Sequence, residues 1–324
     1  MSSVLLTENE NRYVIFPIKH QDIWEMFQLH RKTIWSESEI DVSTDLRDWK
    51  NLKETEKHFI KHVLAFFAAS DGIVLENLAL RFFGDVQLPE ARSFYSIQMF
   101  METVHGIMYS QLLDTYIEDA DEKKKLFNAI STIPSIKQKA LWAKKWIESV
   151  DDFAIRLVAF VVVEGLFFSG SFCCIYWLKE RGILQGLCKS NDLISRDESI
   201  HQDFGVLLFT KYVDTKPSEA VIKQIVKEAV DIEEYFVTEA LSCSLIGMNA
   251  NMMKEYIRFV ANRILRQLGY TDLYEDVKQP FSFMDRICFD SKDNFFEGRV
   301  TSYQLTVEKV KGDEVDNLDF DADF

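Results

Sequence analysis

The chain has 324 residues, 47% of them apolar and 13% aromatic, enough for a sizeable core and too many for wholesale disorder. Lys and Arg number 37 against 52 Asp and Glu, a net charge of −15, and no basic block forms a footprint for DNA or RNA, so no nucleic-acid partner is expected. The five cysteines (Cys173, Cys174, Cys188, Cys243, Cys288) are odd in number and lack a C-x-x-C pair, which argues against a disulfide scaffold or thiolate zinc site and for a reducing, cytoplasmic setting.

The polar stretch 1–12 is too short in its apolar part to be a signal peptide. After Pro17 a helical pattern runs from about Gln21 to Trp35, with Ile23, Met26, Phe27, Leu29 and Ile34 on one side. Ser43, Thr44, Asp45 and Trp49 mark a connection. From about Lys53 to Phe83, Phe59, Val63, Phe66, Ala69, Ile73 and Leu80 recur at helical spacing, and Asp71 sits among small residues. Pro89 is placed to begin a helix that reaches about Glu118 and carries Glu102, His105 and Tyr109. Pro134 separates a shorter pair of helices whose Trp142 and Trp146 are one turn apart.

Ala154 to Leu178 is almost wholly apolar and long enough to span a bilayer. Glu164 lies at its midpoint, where a charge costs at least a few kcal/mol in lipid, so the segment is expected to be buried in a helical bundle, with no membrane partner. A helix from about Asp192 to Val213 bears Glu198 and His201, and two more, about Glu219 to Leu245 and Asn249 to Leu268, complete an all-α body. Phe167–Ser171 is the expected place for a distorted turn. Helical periodicity fades after about Asp290, and 313–324 holds only acidic charges, with Leu318, Phe320 and Phe324 spaced as apolar anchors. The chain is thus read as a helical domain, 1–289, followed by a flexible tail, 290–324.

A Glu and a His three apart lie on one face of a helix. Glu102-x-x-His105 and Glu198-x-x-His201 can therefore each offer a carboxylate and an imidazole to one metal, and Asp71 and Glu164 supply the lone acids of two further helices. This is the donor pattern of ferritin-like dinuclear carboxylate bundles. Four buried carboxylates would be prohibitively costly unpaired, whereas two divalent cations cancel their charge and two neutral imidazoles add none. An oxo dianion between two trivalent ions keeps that balance. The oxygen-rich donor set with one imidazole per metal suits iron first and manganese second, not copper, zinc or calcium. Tyr109, one turn past His105, is expected to aim its phenol at the cluster, either as a redox-active group or as a core tyrosine bonded to Asp71. Phe168, Phe172 and Ile194 are placed to wall its pocket. His58 and His62 read as surface histidines, and His20 and His30 carry no signal.

The stretches Phe66-Phe-Ala-Ala-Ser-Asp71, Glu102-Thr-Val-His105-Gly-Ile-Met-Tyr109, Val163-Glu164-Gly-Leu-Phe-Phe-Ser-Gly-Ser-Phe172 and Ser195-Arg-Asp-Glu198-Ser-Ile-His201 resemble the small subunit of class I ribonucleotide reductase, of the eukaryotic and large-DNA-virus type. The resemblance implies a homodimer in which Asp71, Glu102 and His105 hold one iron, and Glu164, Glu198 and His201 the other. It also implies a stable radical on Tyr109 that is lent through His105, Asp197, Trp35 and Tyr303 to a large catalytic subunit, which reduces ribonucleotides. The C-terminal peptide with Leu318, Phe320 and Phe324 would dock on that subunit. A stand-alone di-iron oxidase or desaturase, and a non-catalytic scaffold chain, are the alternatives.

Overall fold

The structure, a computed structural model, describes residues 4–150, 152–240 and 247–284, and no β-strand forms among them. Helices α1 (Gln21–Lys32) and α2 (Asp45–Asn51) precede two long rods, α3 (Glu54–Asn77) and α4 (Pro89–Tyr116). Short helices α5 (Ala120–Phe127) and α6 (Ala129–Thr132) lead to α7 (Pro134–Ile147). A second pair of rods follows: α8 (Phe153–Val162), continued through a π turn (Val163–Phe167) into α9 (Ser169–Glu180), and α10 (Gln185–Leu207). Helices α11 (Glu219–Ala240) and α12 (Ala250–Gln267) pack on one another and close the bundle against α8 and the π turn.

Local chemistry sets the helix starts. At the head of α3, Glu56 Oε2 accepts the Lys53 backbone N–H at 2.9 Å, filling one of the donor groups a helix start leaves open. Helix α4 begins on Pro89, whose fixed φ suits the first turn, and its buried Glu90 accepts the Lys19 and His20 N–H groups at 2.8 and 3.3 Å, fastening the approach to α1. α3 lies along α4, and α1 lies across α4 and α10. The shared core is aromatic, with Phe59, Phe67, Phe82, Phe94, Tyr95, Phe167, Phe168 and Phe204 all essentially inaccessible. Each such ring contributes about 1.5–3 kcal/mol by leaving water.

Several sequence expectations shift. Helix α10 starts at Gln185 rather than near Asp192, because Asp45 reaches it from α2. Its carboxylate accepts the Gly186 and Leu187 N–H groups at 2.8 and 2.9 Å, and the Tyr116 hydroxyl at 2.6 Å. An anion at a helix N-terminus is favourable, and this one is 1% exposed. A Cβ at position 186 would lie 2.8 Å from Asp41 O and from Asp45 Oδ2, so only glycine fits. Leu80 is exposed rather than in the core stripe. A π turn at Leu78–Phe82 breaks the α-helical register that made it look aligned with Ile73. Helix α1 stops at Lys32, so Ile34 is exposed and Trp35 lies beyond the helix end.

The distorted turn expected at Phe167–Ser171 lies earlier, at Val163–Phe167, and contains Glu164 itself. Two continuous helical stretches, Glu54–Asp85 and Phe153–Glu180, are long and apolar enough to cross a membrane, but the apolar window of the second is 94% buried inside protein. The first compact unit ends at Phe281. The division expected after residue 289 lies outside the described residues, as do Tyr303, Leu318, Phe320 and Phe324.

Candidate metal centre

The two E-x-x-H helices, α4 and α10, face one another at the centre of the bundle and bring Glu102, His105, Glu198 and His201 together, all 3% exposed or less. Glu164 enters from the π turn. Side-chain donor atoms of Glu102, Glu164, Glu198 and His201 lie within 4.8 Å of one another. His105 joins them with Nδ1 3.0 Å from Glu198 Oε1 and 3.8 Å from Glu102 Oε2. His201 Nδ1 lies 3.0 Å from Glu198 Oε2 and 3.1 Å from Glu102 Oε1. Asp71, on α3, is 2% exposed and lines, with Glu102, a groove of about 720 Å³ between α3 and α4. One of its oxygens, Oδ1, receives Ser70 Oγ at 3.4 Å.

Crowded carboxylates behave as electrostatics requires. Burial, then the neighbouring Glu102 charge, pushes Asp71 well above the usual carboxylate range. Burial and the nearby Glu198 and Glu102 do the same to Glu164. Burial also works against the Glu198 carboxylate, yet His201 and His105 together hold it well below its ordinary value. His201 in turn, against its own burial, is lifted to about 9 by Glu198 and Glu102. The cluster is a set of acids that coexist only where positive charge sits among them.

Each imidazole has an outer partner. His105 Nε2 is 3.2 Å from Asp197 Oδ2, and the same oxygen accepts the Trp35 indole N–H at 2.8 Å. Arg196 donates to Asp197 Oδ1 from Nε at 3.1 Å and from its terminal nitrogen at 2.8 Å, and ties the pair to Thr33 O at 2.7 Å. Asp197 is therefore held below the usual range, with His105 and Arg196 outweighing its burial.

The phenol of Tyr109 is 1% exposed and its ring lies flat on Phe67, centroids 4.4 Å apart and planes 4° from parallel. Phe67 in turn meets Phe168 at 5.5 Å and Phe172 at 5.0 Å, and Ile194 is fully buried on α10. The Tyr109 hydroxyl makes no hydrogen bond to any described residue, Asp71 included. Burial, then the Asp71 charge, raises its pKa far above the ordinary phenol value, so it stays protonated.

Sequence reasoning missed three members of this site. His30 is completely buried, with Nε2 2.9 Å from His201 Nε2. Gln98, one turn before Glu102, donates its amide to Glu164 Oε1 at 2.9 Å. Arg196 is the third. The signal for His30 was its place seven residues after Ile23, on the buried side of an amphipathic helix. His58 is exposed and His62 half-buried, where its Nδ1 meets the His58 carbonyl at 2.8 Å.

The family described as ribonucleotide reductase, small chain, matches residues 12–280. The chain belongs to that family. It is 53% identical over 319 residues to the ribonucleoside-diphosphate reductase small chain of Trypanosoma brucei brucei, covering 98% of this chain and 94% of the relative. It is 52% identical over 320 residues to that of Variola virus, covering 99% of each. Among solved structures, the ribonucleotide reductase Rnr4 homodimer of Saccharomyces cerevisiae superposes with a TM-score of 0.80 at 32% identity and covers 93% of both chains.

In this ribonucleotide reductase small chain the buried Glu and His groups could hold a metal, and the donor atoms fit one. Asp71 Oδ2, Glu164 Oε2, both Glu102 oxygens and His105 Nδ1 are fully buried with no aligned hydrogen-bond partner. Buried polar atoms in folded proteins are mostly paired, and what sets these apart from the scattered unpaired atoms elsewhere in the chain is that they are grouped around one cluster. Oxygen and imidazole donors that forgo hydrogen bonds and converge on one spot are what a hard or borderline divalent cation requires.

Proposed function

We propose that this chain is the radical-generating small subunit of a ribonucleoside-diphosphate reductase, and that its metal centre holds two ions, iron in preference to manganese. Asp71, Glu102 and His105 would hold one, and Glu164, Glu198 and His201 the other. The observation that carries this reading is the set of unpaired buried donor atoms on α3, α4 and the π turn, facing Glu198 and His201 of α10, beside a phenol that has no hydrogen bond of its own. Iron is preferred because the donors are mainly carboxylate oxygens with one imidazole for each ion and no thiolate. Two iron ions reacting with oxygen would supply the one-electron oxidation that leaves Tyr109 as a radical.

The protein's part is placement and exclusion of water. Phe67 covers one face of the buried Tyr109 ring and is itself backed by Phe168 and Phe172, and an oxidised phenol there would meet no solvent and no strong donor. His105, Asp197 and Trp35 form an unbroken hydrogen-bonded line from the centre outward, with steps of 3.2 and 2.8 Å. This line would carry the oxidising equivalent toward Tyr303 and a separate large subunit. Leu318, Phe320 and Phe324 would anchor the acidic tail on that partner, and two copies of this chain would pair as a homodimer, as the yeast relative does. The chain would act in the cytoplasm, a setting that agrees with the free thiols of Cys173, Cys174 and Cys188.

The test is anaerobic loading of the metal-free chain with Fe(II), admission of oxygen, metal analysis and electron paramagnetic resonance on one sample. About two irons per chain and a tyrosyl signal that vanishes in Tyr109→Phe are expected for this donor set. Turnover of a small hydrophobic substrate without a radical would assign the chain instead to stand-alone oxidases. No metal uptake would leave it a scaffold.

A further inference from the structure

The two imidazoles of the centre are backed by chemically different groups. His105 presents its outer nitrogen to a carboxylate, Asp197. His201 presents its outer nitrogen, Nε2, to another imidazole, Nε2 of His30, at 2.9 Å. Two ring nitrogens at that distance share one proton, so one donates and the other must be bare.

The surroundings of His30 decide which. Its Nδ1 is 3.2 Å from Thr33 Oγ1, and that hydroxyl spends its own hydrogen on the His30 carbonyl at 2.7 Å. Thr33 Oγ1 is thus the acceptor, and His30 Nδ1 carries the proton. A neutral His30 then has a bare Nε2, which accepts from His201 Nε2–H. With that proton fixed on the far side, Nδ1, 3.1 and 3.0 Å from Glu102 and Glu198, is the nitrogen left to hold a cation, which takes the place of the proton Nδ1 shares with those carboxylates. The chain Thr33–His30–His201 is completely buried throughout, so no water competes for these bonds.

We propose that His30 is a positioning residue for the metal centre, which fixes the tautomer and ring orientation of His201 so that Nδ1 faces the cation site. The inference rests on the metal-centre reading above. It makes the two halves of the centre unequal. The imidazole of His105 is polarised by an anion, whereas that of His201 is backed by a neutral ring and is the weaker donor. The ion on the His201 side is accordingly the one whose retention depends on His30.

The test is an anaerobic Mn(II) titration of the full chain, followed by electron paramagnetic resonance of free Mn(II), comparing wild type with His30→Leu and His30→Gln. Leucine fills the space without a hydrogen-bonding atom, and glutamine restores both a donor and an acceptor. In His30→Leu one of the two equivalents should weaken by about 10–100-fold, the usual effect of losing an outer hydrogen-bond partner, with the other unchanged. His30→Gln should recover most of the loss, and metal-free His30→Leu should still unfold in one cooperative transition, at a lower temperature than wild type because the buried His201 N–H loses its partner. Two equivalents of unaltered affinity in His30→Leu, or equal weakening of both, would overturn the role given to His30. If the leucine variant does not fold, His30→Asn, one bond too short to reach His201, supplies the same contrast with His30→Gln. Failure of the wild type to bind Mn(II) or Fe(II) at all would instead overturn the metal-centre reading and the inference with it.

Discussion

Trp35 donates its indole N–H to Asp197 Oδ2 across 2.8 Å, although 162 residues separate them in the chain. Both are buried, and the indole also lies nearly parallel to the His105 ring, 6.1 Å away at 24°. Trp35→Phe keeps the aromatic body and removes only the donor, while Asp197 retains His105 and Arg196. Urea denaturation should show a loss of about 1.5–3 kcal/mol, the worth of a hydrogen bond to a charged group. Turnover with the large subunit should fall at least about 100-fold, a loss of roughly 2.7 kcal/mol in the transition state, with radical formation in the isolated chain preserved. Undiminished turnover would remove Trp35 from the route.

Tyr109→Phe should be almost silent in stability. The deleted hydroxyl has no hydrogen-bond partner among the described residues and the ring stays stacked on Phe67, so denaturation midpoints should agree with wild type to within about 0.5 kcal/mol. The tyrosyl resonance should disappear while metal content is kept. A large loss of stability would reveal a structural hydroxyl.

Lys139 and Glu233 form a buried ion pair at 2.6 Å, with Lys139 also donating to Phe167 O at 2.7 Å and sitting 3.3 Å from the Phe66 ring centroid. Burial outweighs the mutual attraction, so Glu233 rises from 4.5 to about 7 and Lys139 falls from 10.5 to about 8. Lys139→Met strands a buried carboxylate and should cost about 3–5 kcal/mol, whereas Lys139→Met with Glu233→Leu should be roughly neutral. The sign with pH follows from the raised acid. The unfolded chain gives up the Glu233 proton near 4.5 and the folded chain only near 7, so this group's contribution is complete below the first value and lost as pH climbs through the second. Without the ammonium that loss deepens, and chemical denaturation of Lys139→Met should show a larger deficit at pH 8 than at pH 6.

Removing Leu318–Phe324 should abolish association with the large subunit in sedimentation or pull-down, yet leave radical yield untouched, because this stretch carries the apolar anchors Leu318, Phe320 and Phe324 and none of the proposed metal-site residues. Loss of both properties together would argue against a separable docking peptide.

Much of this molecule could be read from residue order because its site is written on helices. An E-x-x-H repeat puts donor pairs on one face wherever the helix runs, so Glu102 with His105 and Glu198 with His201 needed no tertiary knowledge. Asp71 and Glu164 stood out as acids in apolar surroundings. What stayed hidden depends on contacts between elements. His30 shares the buried face of α1 with Ile23, but what it touches emerges only when α1 is laid against α10, and Gln98 acquires meaning only when Glu164 is opposite. The π turns at Leu78–Phe82 and Val163–Phe167 were equally illegible in position, since one extra residue per turn leaves no mark in composition. The start of α10 has no local signature because its anchor, Asp45, lies 140 residues upstream of Gln185.

That anchor has a mechanical meaning. Asp45 grips Tyr116 at the end of one E-x-x-H rod and the Gly186 and Leu187 amides at the beginning of the other. A single carboxylate thus works as a clasp between the two segments that bring the imidazoles to the cluster, and neither rod can swing away at that end without releasing its neighbour. The spacing of the carboxylate and imidazole cluster is thus braced from a point well outside it.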